Sequence, residues 1–217
     1  MKFIPLKFQG PLAAGGVALM PFVYLQFTVP HAKGLIKLSD IPFAGLNLIN
    51  TSFYLSLIGI MLTFTIIHLI FTIFSLGSLI KWRTKKEEYH NFINTPLTNI
   101  GIFSPIISVA MSMNVIFGPM SFFIPKLSDN LQVMMLPTLI FLGLLWVILF
   151  RFITKVYKIW LSQPLDVDKL NFGWMLDVFA LGMVSLTGTG IASLSNNKEI
   201  ASIAAFISLF TLRIGIC

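Results

Sequence analysis

The sequence predicts an all-α fold: a polytopic transmembrane bundle of about six spans, forming one integral membrane domain over residues 1–217. Three observations carry that expectation. Of the 217 residues, 56% are hydrophobic and only 11% are charged, whereas a soluble domain carries about 25% charged residues. The few charges are segregated, because residues 8–30, 41–80, 91–125, 130–150 and 178–197 contain no Asp, Glu, Lys or Arg. A helix crosses the hydrocarbon core with roughly 20 apolar residues, and each of these runs reaches that length. Finally, the runs lack the period-two alternation of a barrel strand, so helices are the spanning element. This composition excludes a soluble enzyme and leaves no role for nucleic acid. The net charge of +7 reads instead as basic loops on the cytoplasmic side of a multi-pass cell-membrane protein.

The spans are expected at 11–29, 52–80, 99–124, 131–157, 172–194 and 200–216. The first opens with "GPLAAGG", whose small residues suit close helix contact. They lack the preceding strand that a phosphate-binding loop needs. The second is long; at 1.5 Å per residue it covers on the order of 45 Å, so it must tilt or project into the cytoplasm. Pro105 and Pro119 interrupt the third, and each removes a backbone donor. That makes this span either an interior, path-lining helix or one kinked against its neighbours. Arg151 sits at the cytoplasmic end of the fourth, placed to reach the interface. The fifth carries "SLTGTGIASL", and Gly182, Gly188 and Gly190 are expected at helix contacts. The sixth runs to Cys217 with no polar tail, which suggests a piece of a longer chain. Lys2, Lys7, Lys81, Arg83, Lys85, Lys86, Arg151, Lys155, Lys158 and Lys169 fall on one side of such a bundle, against Lys33, Lys37, Lys126 and Lys198 on the other. The positive-inside rule places the amino terminus in the cytoplasm.

Ionisable groups inside a membrane are functional candidates because they are expensive to bury. Here they are His68 in mid-span, Asp177 early in the fifth span, and Arg213 near the end of the sixth. His68 reads more readily as a hydrogen bond between helices than as a ligand. Asp177 is equally a functional group or a partner for Lys169. Among neutral groups, Asn114, beside Ser108 and Ser112, and Thr187, Thr189 and Ser193 are candidate linings of a path together with Pro105. Hydroxyls and amides of that kind offer partial positive charge to an anion without trapping it. His31 and His90 are expected in loops without partners. No spacing matches a metal site, a Walker loop or a nucleophile elbow, so neither a cofactor nor a metal is expected.

The segment "EEYHNFINTPLTNIGIFSPIISVAMSMNV" and the amino-terminal "KFQGPLAAGGVALM" resemble the slow-anion-channel and tellurite-resistance TehA-type family. The likeness rests on Glu88, Tyr89, His90, Phe103 and Pro105, with the early proline and glycines of the first span. It extends more weakly to the TsoY-type (seleno)protein branch. What the resemblance implies is a ten-helix protein of five hairpins around a central pore, passing small anions and assembling as a trimer. Six spans supply three of those hairpins, and the family's gating phenylalanine has no counterpart in this sequence.

The function expected from these readings is a channel or transporter for small anions, not an enzyme. Its first, third and fifth spans line the path, and its partners are the lipid bilayer, the anions and further copies of itself. Two alternatives stay open. One is a membrane redox protein acting through Cys217, whose thiol near Arg213 would be the reactive group. The other is an accessory membrane subunit with no pathway of its own.

Overall fold

The computed structural model describes residues 4–32, 34–162 and 172–216. Among these residues the chain is helical throughout, with six helical segments long and apolar enough to cross a membrane. After a 3-10 turn at Pro5–Phe8, α1 covers Gln9–Thr28. Helix α2 covers Leu48–Arg83. It begins four residues earlier than its apolar run suggests, because the Asn47 side chain accepts from the Asn50 backbone N–H at 2.8 Å and caps it. Its 36 residues span about 54 Å, well beyond a hydrocarbon core of ~30 Å.

A short polar helix, α3 (Lys86–Asn94), follows. The third span, Asn99–Phe123, is composite: a 3-10 turn (Asn99–Phe103), α4 (Ser104–Val115), a π turn (Ile116–Met120) and α5 (Ser121–Phe123). The two prolines act differently. Pro105 occupies the first turn of α4, where no intrahelical donor is lost. Pro119 lies inside the π turn, the wider helical form that absorbs its missing donor. Beyond α6 (Pro125–Asp129), α7 runs from Leu131 to Ser162, five residues past its expected end. Helices α8 (Leu176–Leu194) and α9 (Lys198–Ile216) form a tight hairpin.

The third span is the axis of the molecule. It contacts α1, α2, α7 and α8, and it is far more buried than any other span. Its residues Phe103, Ile107, Ala110 and Val115 are sealed from the surface, and the larger of the two apolar cores continues through Leu142 and Leu149 of α7 to Val184 and Ile191 of α8. By contrast, α2, α7 and α9 expose large apolar side chains such as Ile73, Phe74, Val133, Leu144, Phe206 and Leu209, the faces a bilayer would cover. A second core of Phe22, Leu25, Ile36, Ile41, Met61 and Phe122 lies at the end opposite the amino terminus. There the chain between α1 and α2 is folded onto the bundle. Gln26 organises it by accepting from the Ile36 backbone N–H at 2.9 Å and donating to the Gly34 carbonyl at 3.0 Å. Lys37 pairs with Asp129 at 2.6 Å on the same end.

Glycine packing is more selective than the sequence implies. A Cβ at Gly188 would meet the Ala204 carbonyl oxygen at 3.1 Å, so the α8–α9 contact needs that position. Gly182 and Gly190 have open space beside them and are not contact residues. Gly15 of the "GPLAAGG" run does make a close approach: a Cβ there would lie 2.5 Å from Met111 Cγ and 2.8 Å from His68 Nδ1.

Candidate functional site

Chains of alternating crossings put the start of α1, the end of α2, α3, the start of the third span and the end of α7 at one face of the bundle. There, α2, α3, α4 and α7 leave a cleft between them. Its outer part, about 400 Å³, is lined by Arg83, Tyr89, Ile148, Arg151, Phe152 and Lys155. An inner pocket of about 180 Å³ shares Arg83, Tyr89, Ile148 and Phe152 with it and reaches Pro105, Ile106 and Leu145. The two adjoin along that shared wall; the first is lined by Arg83, Arg151 and Lys155, and the second is mostly apolar beyond Arg83. Lys155 Nζ lies 5.9 Å from the centre of the Tyr89 ring, within cation–π range.

The sequence places these cations by helix length. Arg83 is in the last turn of α2, and Arg151 and Lys155 are one turn apart on α7. Helix α3 closes the side. Trp82 is buried edge-on against Tyr89 and Phe92, each at 5.3 Å. Asn99, fully buried, donates to the Ile93 carbonyl at 3.1 Å and accepts from Trp160 Nε1 at 2.9 Å, tying α3 and α7 to the third span. Leu97, at φ +68°, makes the sharp turn between α3 and that span. The charge of Lys85 is committed elsewhere. Its ammonium donates to Glu88 Oε1 at 2.7 Å, and that hydrogen bond raises its pKa above the ordinary lysine value. No acid forms an ion pair with Arg83, Arg151 or Lys155 among the described residues.

Of the residues singled out from sequence, Pro105 lines the inner pocket. Asn114 and Thr187 lie deeper, where Asn114 Nδ2 donates to Thr187 Oγ1 at 3.1 Å across α4 and α8. Thr189 meets Ser208 Oγ at 2.7 Å, and Ser185 and Ser208 exchange hydrogen bonds with each other's carbonyls. The hydroxyl run of the fifth span is thus joined to α4 and α9. Asp177 is buried in the first turn of α8 and accepts from Tyr157 Oη at 2.6 Å and from the Val178 backbone N–H at 2.7 Å; Lys169 lies outside the described residues. Arg213 is exposed in the last turn of α9, so it does not enter the bundle interior. Cys217 lies outside the described residues.

His68 joins three helices. Its Nδ1 is 2.6 Å from the Pro11 carbonyl of α1, and its Nε2 is 2.9 Å from Ser112 Oγ of α4. His90 is on α3 rather than in a loop and pairs with Asn94 at 2.9 Å, and His31 pairs with Gln26 at 2.9 Å; both have the partners that their sequence surroundings hide. Among the described residues, no three of His, Cys, Asp and Glu gather to hold a metal. No family model, curated protein or solved structure matches this chain.

The cleft itself escapes a reading by periodicity. Arg83, Arg151 and Lys155 appear in sequence only as interfacial charges, and Tyr89 only as part of a resemblance. The usable signal is that both helices overrun the bilayer thickness with cations beyond the apolar stretch.

Proposed function

We propose that this chain is a membrane transport protein for small anions, and that anions enter through the cationic cleft at the face bearing the amino terminus. The observation that carries the reading is the convergence of Arg83, Arg151 and Lys155 on one cavity without an acidic partner among the described residues. Cations lining a cleft with low-dielectric walls raise the local concentration of anions. The apolar part of the inner pocket at Pro105, Ile106 and Leu145 holds no fixed charge that would retain the anion, as conduction requires. The positive-inside distribution puts this mouth in the cytoplasm.

The test is flux of chloride, nitrate and a small dicarboxylate in proteoliposomes. Flux above empty vesicles, reduced severalfold in Arg83→Gln/Arg151→Gln with the thermal unfolding temperature kept, supports the proposal. Absence of flux for every anion at several potentials sinks it. A second reading, an accessory membrane subunit, is favoured by the mutual pairing of Asn114 with Thr187 and of Ser185 and Thr189 with Ser208, which spends the interior polar groups on packing. It predicts no flux and stoichiometric co-purification with a conducting partner.

A further inference from the structure

Three buried hydroxyls on α2 and the third span behave unlike most others in the bundle. In Thr65, Ser112, Ser121, Thr138, Thr187 and Thr211 the hydroxyl donates to the carbonyl one turn back, the usual way a helix satisfies it in an apolar interior. Thr72, Ser104 and Ser108 do not, and their oxygens have no partner among the described residues although each residue is more than nine-tenths buried. Their register is ordered. Helices α2 and α4 cross in opposite directions and are joined at His68–Ser112. One turn toward the amino-terminal face brings Thr72 level with Ser108. The next brings Ser75 level with Ser104, and Ser75 Oγ donates to the Lys7 carbonyl at 3.0 Å. By register, the hydroxyls follow one another along α2 and α4 from the His68 level toward the end of the bundle where α1 begins. Buried polar groups without protein partners are commonly satisfied by water.

The imidazole at the inner end of this series has two consistent hydrogen-bond states. The Pro11 carbonyl only accepts, so Nδ1 carries a proton in both. Ser112 Oγ is within reach of Nε2 at 2.9 Å and of the Ser108 carbonyl at 3.0 Å. With neutral His68, the Ser112 hydroxyl donates to Nε2. With a proton added at Nε2, the ring donates to Ser112 Oγ, and the Ser112 hydroxyl turns to the Ser108 carbonyl. One hydroxyl rotation interconverts them without moving a heavy atom. Beyond Thr65, which bonds the Met61 carbonyl at 2.7 Å, the series does not continue. No other group near it competes for the proton: α1 has no charged residue, α2 has none before Lys81, and the third span has none. Tyr24 of α1 and Tyr54 of α2 lie more than three turns away toward the opposite face.

We propose that Thr72, Ser104 and Ser108 line a one-sided water path from the amino-terminal face to His68, and that His68 Nε2 is a proton-binding site loaded through it. The proton comes from bulk water at that face, passes along the path and adds to Nε2, leaving an imidazolium held by Pro11 and Ser112. The site is separate from the cationic cleft and does not rest on anion transport.

The experiment is nitrogen-15 NMR of histidine-labelled protein in liposomes, in a His31→Gln/His90→Gln background that leaves His68 as the one histidine. The expected result is a reversible change of the Nε2 resonance with bath pH at constant Nδ1 protonation, and exchange of the Nε2 proton with deuterated solvent. Thr72→Val and Ser108→Ala, which surrender no protein hydrogen bond, slow that exchange by about tenfold or more. Thr72→Ser restores it, and Thr65→Val, on the far side of His68, leaves it unchanged. An Nε2 resonance that neither titrates nor exchanges overturns the site. Exchange as fast in Thr72→Val and Ser108→Ala as in the parent overturns the path.

Discussion

Gly15 and Gly16 are chemically identical neighbours with opposite demands on them. A methyl group at Gly15 would collide with Met111 Cγ and His68 Nδ1, both in the packed interior, whereas Gly16 has no heavy atom within 4 Å of such a group. Overpacking a well-filled core costs about 1–3 kcal/mol. Gly15→Ala is therefore expected to lower the thermal unfolding temperature in detergent and to disturb the His68 bond to Pro11. Gly16→Ala is expected to leave the unfolding temperature unchanged or slightly raised, because alanine is the better helix former. Equal effects of the two substitutions would refute the packing described for α1. Composition alone treats both as members of one small-residue run. The face of α1 that meets α2 and α4 separates them, and that face is set by tertiary contacts the sequence does not display. His68 is the converse case: its role as a bond between helices is legible from its isolation in an apolar run, while its partners, a backbone carbonyl and a serine, carry no sequence signal.

At the level of helices, the spans were readable because bilayer thickness imposes a length and a composition on each. The expected third span, 99–124, agrees with Asn99–Phe123 to one residue. The ends of α2 and α7 were less legible, since a cap such as Asn47 and cationic turns past Arg151 extend a helix beyond its apolar stretch. The internal make-up of the third span was also hidden, because two prolines in one apolar run give no indication that one starts a helix and the other sits in a π turn. Connections between helices depend on side-chain clamps of the same unadvertised kind. Gln132 at the start of α7 donates to the Leu194 carbonyl at 2.8 Å and accepts from the Asn196 backbone N–H at 2.8 Å, fastening the α8–α9 turn. Gln132→Ala should remove about 1 kcal/mol of local stability, visible as faster hydrogen exchange at residues 194–198 with little change in global unfolding. Unchanged protection there would show that the α8–α9 hairpin holds the turn by itself.

For the whole molecule, the two faces differ in kind. The face bearing the amino terminus is cationic and open to the cleft, and the opposite face is closed by the folded chain around Gln26 and the Lys37–Asp129 pair. In a Cys217→Ser background, Lys86→Cys and Ser39→Cys are expected to react with an impermeant maleimide from opposite sides of a cell membrane, Lys86→Cys from the cytoplasm. Labelling of both from one side would contradict the six-span topology. Helix α2 runs unbroken from Leu48 to Arg83 between these faces. It therefore fixes a rotational phase as well as a length: His68 and Arg83 belong to one rigid screw. One residue inserted between Gly77 and Lys81 would turn Arg83 by about 100° about the helix axis, away from the cleft, while the bonds of His68 to α1 and α4 stayed in register. The place of Arg83 in the cationic mouth is thus specified by a count of residues, and a chain with one residue more there would keep its six spans and the α7 cations but lose Arg83 from the cleft.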